Sequence, residues 1–148
     1  MSLRPENSGP TPGSGGSRER AASCEERIER HLKQRLADFR QLLADYVGSD
    51  PLRSYGVAFY YVPPHAFPDQ PEEYCRYQLS WGCPCDDIRF FVDADDLTCH
   101  RVEYWFLDSG DDAHRVLDDD DKVLLDEIWE WLTEIGAVED QFVKVRAR

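Results

Sequence analysis

The sequence predicts an α+β fold: an antiparallel β-meander of four to five strands with two packed amphipathic helices. Near each end of the folded part, apolar side chains recur with the period of a helix, and between these regions they alternate with polar ones as in strands. Short turns join the strand-like segments, which favours antiparallel neighbours. With 148 residues and 41% hydrophobic content, the chain is long enough for one core and short for two.

Residues 1–22 are rich in proline, glycine and serine and hold few apolar side chains. Their central part reads Pro-Thr-Pro-Gly-Ser-Gly-Gly-Ser over residues 10–17. A segment of this composition cannot bury enough apolar surface to offset the entropy that a chain loses on folding. We therefore predict a disordered tail over residues 1–22 and a single α+β domain over residues 23–148.

The first helix is predicted over residues 24–47. Ser23 and Glu26 have the spacing of a capping box, in which each residue satisfies an amide of the other. Gly48 follows the last apolar position and is expected to end the helix. The apolar stripe follows the i, i+3, i+4 spacing of a half-buried helix and consists of Ile28, Leu32, Leu36, Phe39, Leu43, Tyr46 and Val47.

Strand-like segments occupy the middle of the chain, after the break at Asp50-Pro51. Pro63-Pro64 ends the first of them, since proline cannot donate to a β-ladder. Residues 65–73 contain two more prolines and are predicted to form a long loop. The predicted strands are 55–62, 74–81, 87–92 and 98–107, and the last three are joined by turns at 82–85 and 93–96.

The second helix is the strongest prediction in the C-terminal part. It begins at Asp118, carries an apolar stripe that includes Trp129 and Trp131, and is ended by Gly136. Aspartates at its start are expected to cap free amides and to suit the positive end of the helix dipole. Residues 108–117 are predicted as a loop before it, and residues 138–145 as a last short strand.

The formal net charge of −13 at pH 7 is concentrated in one stretch of the chain. Residues 1–85 carry 11 acidic and 10 basic side chains, whereas residues 86–140 carry 19 acidic and four basic ones. Such a concentration costs self-repulsion in the folded state. It also disfavours direct nucleic-acid binding, because affinity for phosphates comes from cations. The expected partner is a basic or nucleic-acid-binding protein.

The second helix carries acidic residues at helical spacing on one face. Asp126, Glu130 and Glu134 follow i, i+4 steps of about 6 Å, and this ladder resembles the row of phosphates along a nucleic-acid strand. A folded protein with such a row could occupy the basic groove of a DNA-binding protein. The predicted partner-binding acidic face consists of Asp111, Asp112, Asp118, Asp119, Asp120, Asp121, Asp126, Glu127, Glu130 and Glu134.

No catalytic signature accompanies the charge. The sequence holds no nucleophile elbow and no phosphate-binding glycine loop, and its four histidines show no repeated spacing to a cysteine or aspartate. The Asp-rich segments lack the glycine and distal glutamate of a calcium loop. Neither an apolar run of membrane-spanning length nor a secretory leader pattern is found. We expect a cytoplasmic protein without enzymatic activity, cofactor or membrane partner.

The five cysteines leave one alternative open, a small module supported by zinc. Cys83 and Cys85 are close in sequence, with Cys75, Cys99 and His100 on neighbouring segments. In the predicted meander, however, the first pair lies at one end of the strands and Cys75 and Cys99 lie toward the other, about 20 Å away. Zinc needs its ligands around one ion at about 2.3 Å. Reduced cysteines packed as small apolar residues are the favoured reading.

A second alternative treats the acidity as solvation alone. The chain has 18 aspartates, 14 arginines and only three lysines, a profile also found in proteins from salt-rich or high-GC backgrounds. That reading describes a structural or scaffold domain and predicts acids spread over the whole chain. The near-neutral first 85 residues count against it.

Three segments carry a resemblance to other proteins. They read Tyr-Gln-Leu-Ser-Trp-Gly over residues 77–82, Asp-Ile-Arg-Phe-Phe-Val over residues 87–92 and Arg-Val-Glu-Tyr-Trp-Phe-Leu-Asp over residues 101–108. This pattern is similar to small acidic proteins, largely uncharacterised, that are carried by phages, plasmids and other mobile elements. The similarity covers roughly residues 55–140. In that group the turn after the tryptophan usually reads Gly-Gly-Pro-Ser, where this chain has two cysteines.

The resemblance implies no activity, but carriage on mobile elements fits proteins that disarm host defences such as restriction or CRISPR systems. Together with the acidic ladder, it leads us to expect a non-enzymatic inhibitor that binds a host nucleic-acid-handling protein by DNA mimicry. The scaffold domain and the zinc-supported module remain the alternatives.

Overall fold

The computed structural model describes residues 22–45 and 54–146. Residues 1–21 of the predicted tail, residues 46–47 of the predicted first helix and its expected stop at Gly48 lie outside these residues. The described elements are α1 (Cys24–Ala44), β1 (Ala58–Val62), β2 (Tyr74–Gln78), β3 (Cys85–Val92), β4 (Cys99–Asp108), β5 (Asp111–Leu117), α2 (Asp119–Glu134) and α3 (Ala137–Arg146).

The five strands form one antiparallel sheet in the order β1-β2-β3-β4-β5, so each strand pairs with its neighbour in sequence. This arrangement confirms the predicted α+β class and the meander. Strand residues point alternately to the two faces of the sheet. One face carries Tyr77, Phe90 and Tyr104, which are buried against the helices. The other face carries Arg76, Arg89 and other polar and aromatic side chains.

Helix α1 begins as the sequence predicts. The Ser23 side chain accepts a hydrogen bond from the Glu26 amide, and the Glu26 side chain accepts one from Ser23, so the capping box is complete. Four predicted stripe residues of α1 are buried against the sheet. These are Ile28, Leu32, Leu36 and Phe39.

Residues 108–117, predicted as a loop, in fact hold the fifth strand. Ser109 and Gly110 both have positive φ, the pattern of a two-residue hairpin turn, and they join β4 directly to β5. The strand was missed because it is an edge strand whose helix-side positions include Arg115 beside Ala113 and Leu117. That mixture weakens the alternation of apolar and polar residues.

The predicted last strand, 138–145, is also wrong, because this segment lies within helix α3. Its buried residues Val138 and Phe142 are four positions apart, which is a helical period. Phe142 packs on the Tyr61 ring at 4.7 Å between centroids, and the Gln141 side chain accepts the backbone N–H of Tyr61. The segment therefore packs on the edge strand β1 as a helix instead of pairing with it.

Helix α2 begins at the predicted aspartates and is followed by Gly136 with φ +84°. The expected capping is wrong in detail, because Asp118 stands at the N-cap but its side chain makes no cap hydrogen bond. Trp129 and Trp131 are buried, as predicted. Among the described residues, no helix combines the length and the apolar character that a membrane crossing needs.

A buried carboxylate, Asp86 on β3, joins α1 to the sheet. Arg35 of α1 donates to it through Nε at 2.7 Å and Nη2 at 2.9 Å. Tyr104 and Ser80 each donate a hydroxyl at 2.6 Å. Burial alone would raise the pKa of Asp86, but these hydrogen bonds outweigh it and hold the pKa below its usual value.

We predict that Asp86→Ala lowers the free energy of unfolding at pH 7 by about 3–5 kcal/mol, since it leaves the partly buried Arg35 guanidinium and the buried Tyr104 hydroxyl without their shared acceptor. Because the pKa of Asp86 is depressed in the folded protein, its contribution is present above the unfolded pKa and is lost as pH falls through the folded one. Urea unfolding should therefore show a difference between the two proteins that shrinks below about pH 4.

The matched control is Asp95→Ala, at an exposed position in the β3–β4 turn. It should change the free energy of unfolding by less than about 0.5 kcal/mol. A loss of similar size in both variants would contradict the structural role of Asp86.

Candidate functional site

The structure divides the predicted acidic face between two places. Asp111 and Asp112 lie at the turn between β4 and β5, whereas Asp118 and the rest of the set follow the far end of β5. The seven residues of β5 span about 20 Å. The ten residues therefore do not form one continuous row.

The β4–β5 turn is occupied by contacts with α1. The Cys24 amide donates to Asp111 at 2.8 Å, and Arg27 donates to Asp108 at 2.7 Å. The hydrogen bond from the Cys24 backbone lowers the pKa of Asp111. These carboxylates thus fix the start of α1. Asp111 and Asp112 are both exposed and have no ion pair within the described residues, but Asp111 is engaged by the Cys24 amide.

The aspartates that open α2 stand on the surface. Asp118, Asp119 and Asp120 are exposed, and Asp119 has a positive φ of 50°. Asp121 forms an ion pair with Arg40 of α1 at 3.3 Å. Exposed pairs of this kind contribute little to stability. This cluster leads directly into the ladder on α2.

A groove with acidic edges runs between α2 and the β3–β4 turn. Its volume is about 600 Å³, and Leu97, Cys99 and Trp129 supply its apolar part. Asp126 holds the cation of Lys122 at 2.7 Å, while Glu130 and Glu134 have no cation within the described residues. The carboxylates along the groove are Asp96, Asp126, Glu130 and Glu134.

Glu127 lies on the other side of the ladder. It lines a smaller depression of about 450 Å³ together with Leu43, Trp131, Glu130 and Glu134. Two of these glutamates therefore border both depressions and stand on the crest of α2 between them. Asp126 is partly buried and Glu130 and Glu134 are exposed, so the three residues of the predicted ladder form a ridge along α2 with apolar residues on each side.

The opposite, helix-free face of the sheet holds a cavity that the sequence analysis missed. Its volume is about 550 Å³, and the loop between β1 and β2 forms one wall. Gln70 holds that loop, since its Nε2 donates to the carbonyls of Pro63 and Glu72 at 3.0 and 2.6 Å. Three arginines from three strands face the cavity, namely Arg76, Arg89 and Arg101.

Each arginine is paired with a ring. The guanidinium carbon of Arg89 lies 3.9 Å from the Trp105 ring centroid and 5.0 Å from that of Tyr74. Arg101 lies over Phe91 at 4.0 Å. Cation–π contacts of this type help to hold a guanidinium in place. The sequence did contain a signal, because arginines alternate with aromatic residues at positions that share one face of β2, β3 and β4.

Two buried carboxylates support these cations. Asp87, fully buried, accepts Nε of Arg89 at 2.8 Å, and its second oxygen lies 3.0 Å from Nη2 of Arg76, outside hydrogen-bond geometry. Glu103 accepts Arg101 at 2.9 Å and also Nε1 of Trp105. Buried charges of this kind need such partners.

The cysteines do not gather around one point. Cys83 is exposed in the β2–β3 turn, where its Sγ lies 2.6 Å from Asp108, while Cys75 is buried on the helix side of β2. Burial raises the pKa of Cys75 to about 12 and that of Cys99 to about 11. Among residues 22–45 and 54–146, no group of three or more histidine, cysteine, aspartate or glutamate side chains is placed to hold a metal ion.

Comparison with known proteins adds no assignment. No protein-family model, no curated protein and no solved structure matches the chain. The candidate sites therefore rest on their own geometry.

We predict that Cys83 is the first cysteine to be alkylated by iodoacetamide in the native protein. It is exposed, whereas burial raises the pKa of the other four, Cys24, Cys75, Cys85 and Cys99, and so lowers their thiolate fractions. Peptide mass spectrometry over time should show this order. Cys83→Ser should remove the first labelling step without slowing the later ones, and fast labelling of Cys75 would contradict the described packing.

Proposed function

We propose that this protein is a non-enzymatic binding protein that docks through the acidic ridge of α2 on a basic surface of a nucleic-acid-handling protein. The observation that carries the proposal is the groove beside that ridge, in which carboxylates border an apolar floor formed in part by Leu97 and Trp129. Lysine and arginine side chains combine an apolar stem with a cationic head. The groove therefore suits a basic side chain or a short basic segment.

The charge of the ridge favours a partner that normally binds phosphates. Glu130 and Glu134 stand one helical turn apart, about 6 Å along the axis, and have no cation among the described residues. Basic grooves that bind DNA attract rows of negative charge, so the ridge competes for the same surface. The resemblance to proteins of mobile elements supports a host defence protein, of the restriction or CRISPR type, as the partner.

The relevant face is smaller than the sequence analysis predicts. It comprises the start of α2, the α2 ridge and the β3–β4 turn, whereas Asp111 is engaged in the α1 contact. An even spread of unpaired carboxylates over the whole surface would favour the scaffold reading. Two features instead favour a localised surface: Asp108 and Asp111 at the β4–β5 turn are engaged by α1, whereas Glu130 and Glu134 on the ridge have no cation within the described residues.

The test is partner capture from a host lysate with a tagged full chain, followed by competition with duplex DNA. We predict that the triple variant Asp126→Lys, Glu130→Lys and Glu134→Lys loses capture of a nucleic-acid-binding protein by at least about tenfold, because each reversal replaces attraction with repulsion. Excess duplex should release the captured protein, and higher salt should weaken capture.

A matched control reverses three exposed carboxylates that do not line the groove. The variant Asp112→Lys, Glu139→Lys and Asp140→Lys changes the net charge by the same amount. It should retain most of the capture. Equal loss in both triple variants would mean that only net charge matters, and capture unaffected by duplex DNA would end the mimicry proposal.

A further inference from the structure

The cavity on the helix-free face carries an inference that is independent of the acidic ridge. The register places Arg76 directly opposite Arg89 on neighbouring strands. Like charges in this position repel each other. One carboxylate, Asp87, lies within ion-pair distance of both of these partly buried guanidinium groups, whereas Arg101 beside them has two carboxylates, Glu72 and Glu103. Arg76 and Arg89 therefore share a single counterion.

Arg89 has hydrogen-bond donors to spare. Its Nε is bound to Asp87, but within the described residues neither terminal nitrogen has an acceptor. Its side chain is only 15% exposed and is held between the rings of Trp105 and Tyr74. A guanidinium that is fixed in place and has both terminal groups free can bind an oxyanion through two parallel hydrogen bonds.

The cavity around Arg89 is lined mainly by rings and by the loop wall. Tyr60, Tyr74 and Trp105 come from the sheet, and Phe67 comes from the loop with 58% of its surface exposed. His114 lies flat against Trp105, with ring centroids 4.4 Å apart and an interplanar angle of 10°. Tyr74 is buried and Trp105 is covered by Arg89 and His114, so the rings that can stack on a planar ligand are the exposed Phe67 and His114. The volume of about 550 Å³ falls within the range of small-molecule sites.

Arg101 at the rim is already occupied by an anionic group of the protein. Glu72 accepts Nη2 of Arg101 at 2.7 Å and Nη1 at 3.2 Å. The Glu72 side chain is 45% exposed and lies on the loop, unlike the buried Glu103 that also binds Arg101. Hydrogen bonding to Arg101 lowers the pKa of Glu72, so the carboxylate is ionised at neutral pH. It therefore sits at the cavity edge as a competitor of incoming anions.

We propose that this cavity binds a small molecule that combines a planar ring with one oxyanion group, a phosphate or a carboxylate. The ring stacks among the aromatic side chains, and the oxyanion accepts the free terminal N–H groups of Arg89. The Asp87 carboxylate accepts Nε of Arg89 and so orients the guanidinium. Glu72 limits the affinity because its charge repels the oxyanion.

The test uses four probes in isothermal titration with the full chain. Adenosine 5′-monophosphate and indole-3-acetate carry both features, adenosine lacks the anion, and inorganic phosphate lacks the ring. We expect the first two to bind and each of the others to bind at least about tenfold more weakly, since each lacks one of the two sets of contacts. The proposal would be overturned if neither adenosine 5′-monophosphate nor indole-3-acetate gave a heat of binding at millimolar concentration. Equal binding of all four would do the same.

Variants locate the binding. Arg89→Met should weaken both two-feature probes by about tenfold or more, because it removes a charge-assisted pair of hydrogen bonds. The matched control, Arg115→Met, makes the same exchange on the helix-covered side of the sheet, where Arg115 pairs with Glu25 and Glu29. It should leave affinity unchanged. Equal loss in both arginine variants would overturn the assignment.

Two loop variants keep the test valid if Arg89→Met fails to fold. Phe67→Ala changes an exposed loop residue and should weaken the ring-bearing probes severalfold by removing part of the stacking wall. Glu72→Gln should strengthen binding of the two anionic ring compounds and leave adenosine unaffected, because it removes the competing charge. Affinity that is indifferent to both changes would place the probes elsewhere and overturn the proposal.

Discussion

Two consecutive carboxylates on β3 organise the molecule, because their side chains point to opposite faces of the sheet and both are buried. Asp86 faces the helices and accepts Arg35 of α1, while Asp87 faces the open side and accepts Arg89. A buried ion is stable only when partners compensate its lost hydration. The position of α1 and the orientation of the open-face arginine are thus both set from one point of the central strand.

This arrangement changes the meaning of the acidic composition. Asp86, Asp87 and Glu103 are buried and bound to arginines, and Asp108 is bound to Arg27, so a part of the negative charge belongs to the internal framework. The remaining charge of residues 86–140 stands on α2, at the start of α3 and in the turns. A count along the sequence cannot separate these roles, since it assigns the same value to a buried and an exposed carboxylate.

The sequence predicts the parts of the fold in which local pattern and tertiary packing agree. The α1 stripe and capping box are confirmed, because a helix that covers a sheet must present one apolar face. Strand β5 was missed because Arg115 interrupts the apolar residues on its helix-facing side. Helix α3 was predicted as a strand because two buried residues, Val138 and Phe142, are too few to define a period. The cavity on the helix-free face depends on the register between neighbouring strands, and a single sequence does not reveal that register.

The two candidate surfaces differ in how electrostatics acts on them. The α2 ridge is exposed, so its attraction to a basic partner acts over about one screening length of 8–10 Å and weakens as salt is added. Around the open-face cavity, the net negative charge repels an anion at long range, yet Arg89 attracts it at contact, where rings exclude water. Added salt screens the long-range repulsion more than the sheltered contact. Added salt therefore weakens binding at the α2 ridge and favours binding at the open-face cavity. The two effects differ because the free carboxylates of the ridge are exposed, whereas the Arg89 guanidinium is sheltered and held by Asp87.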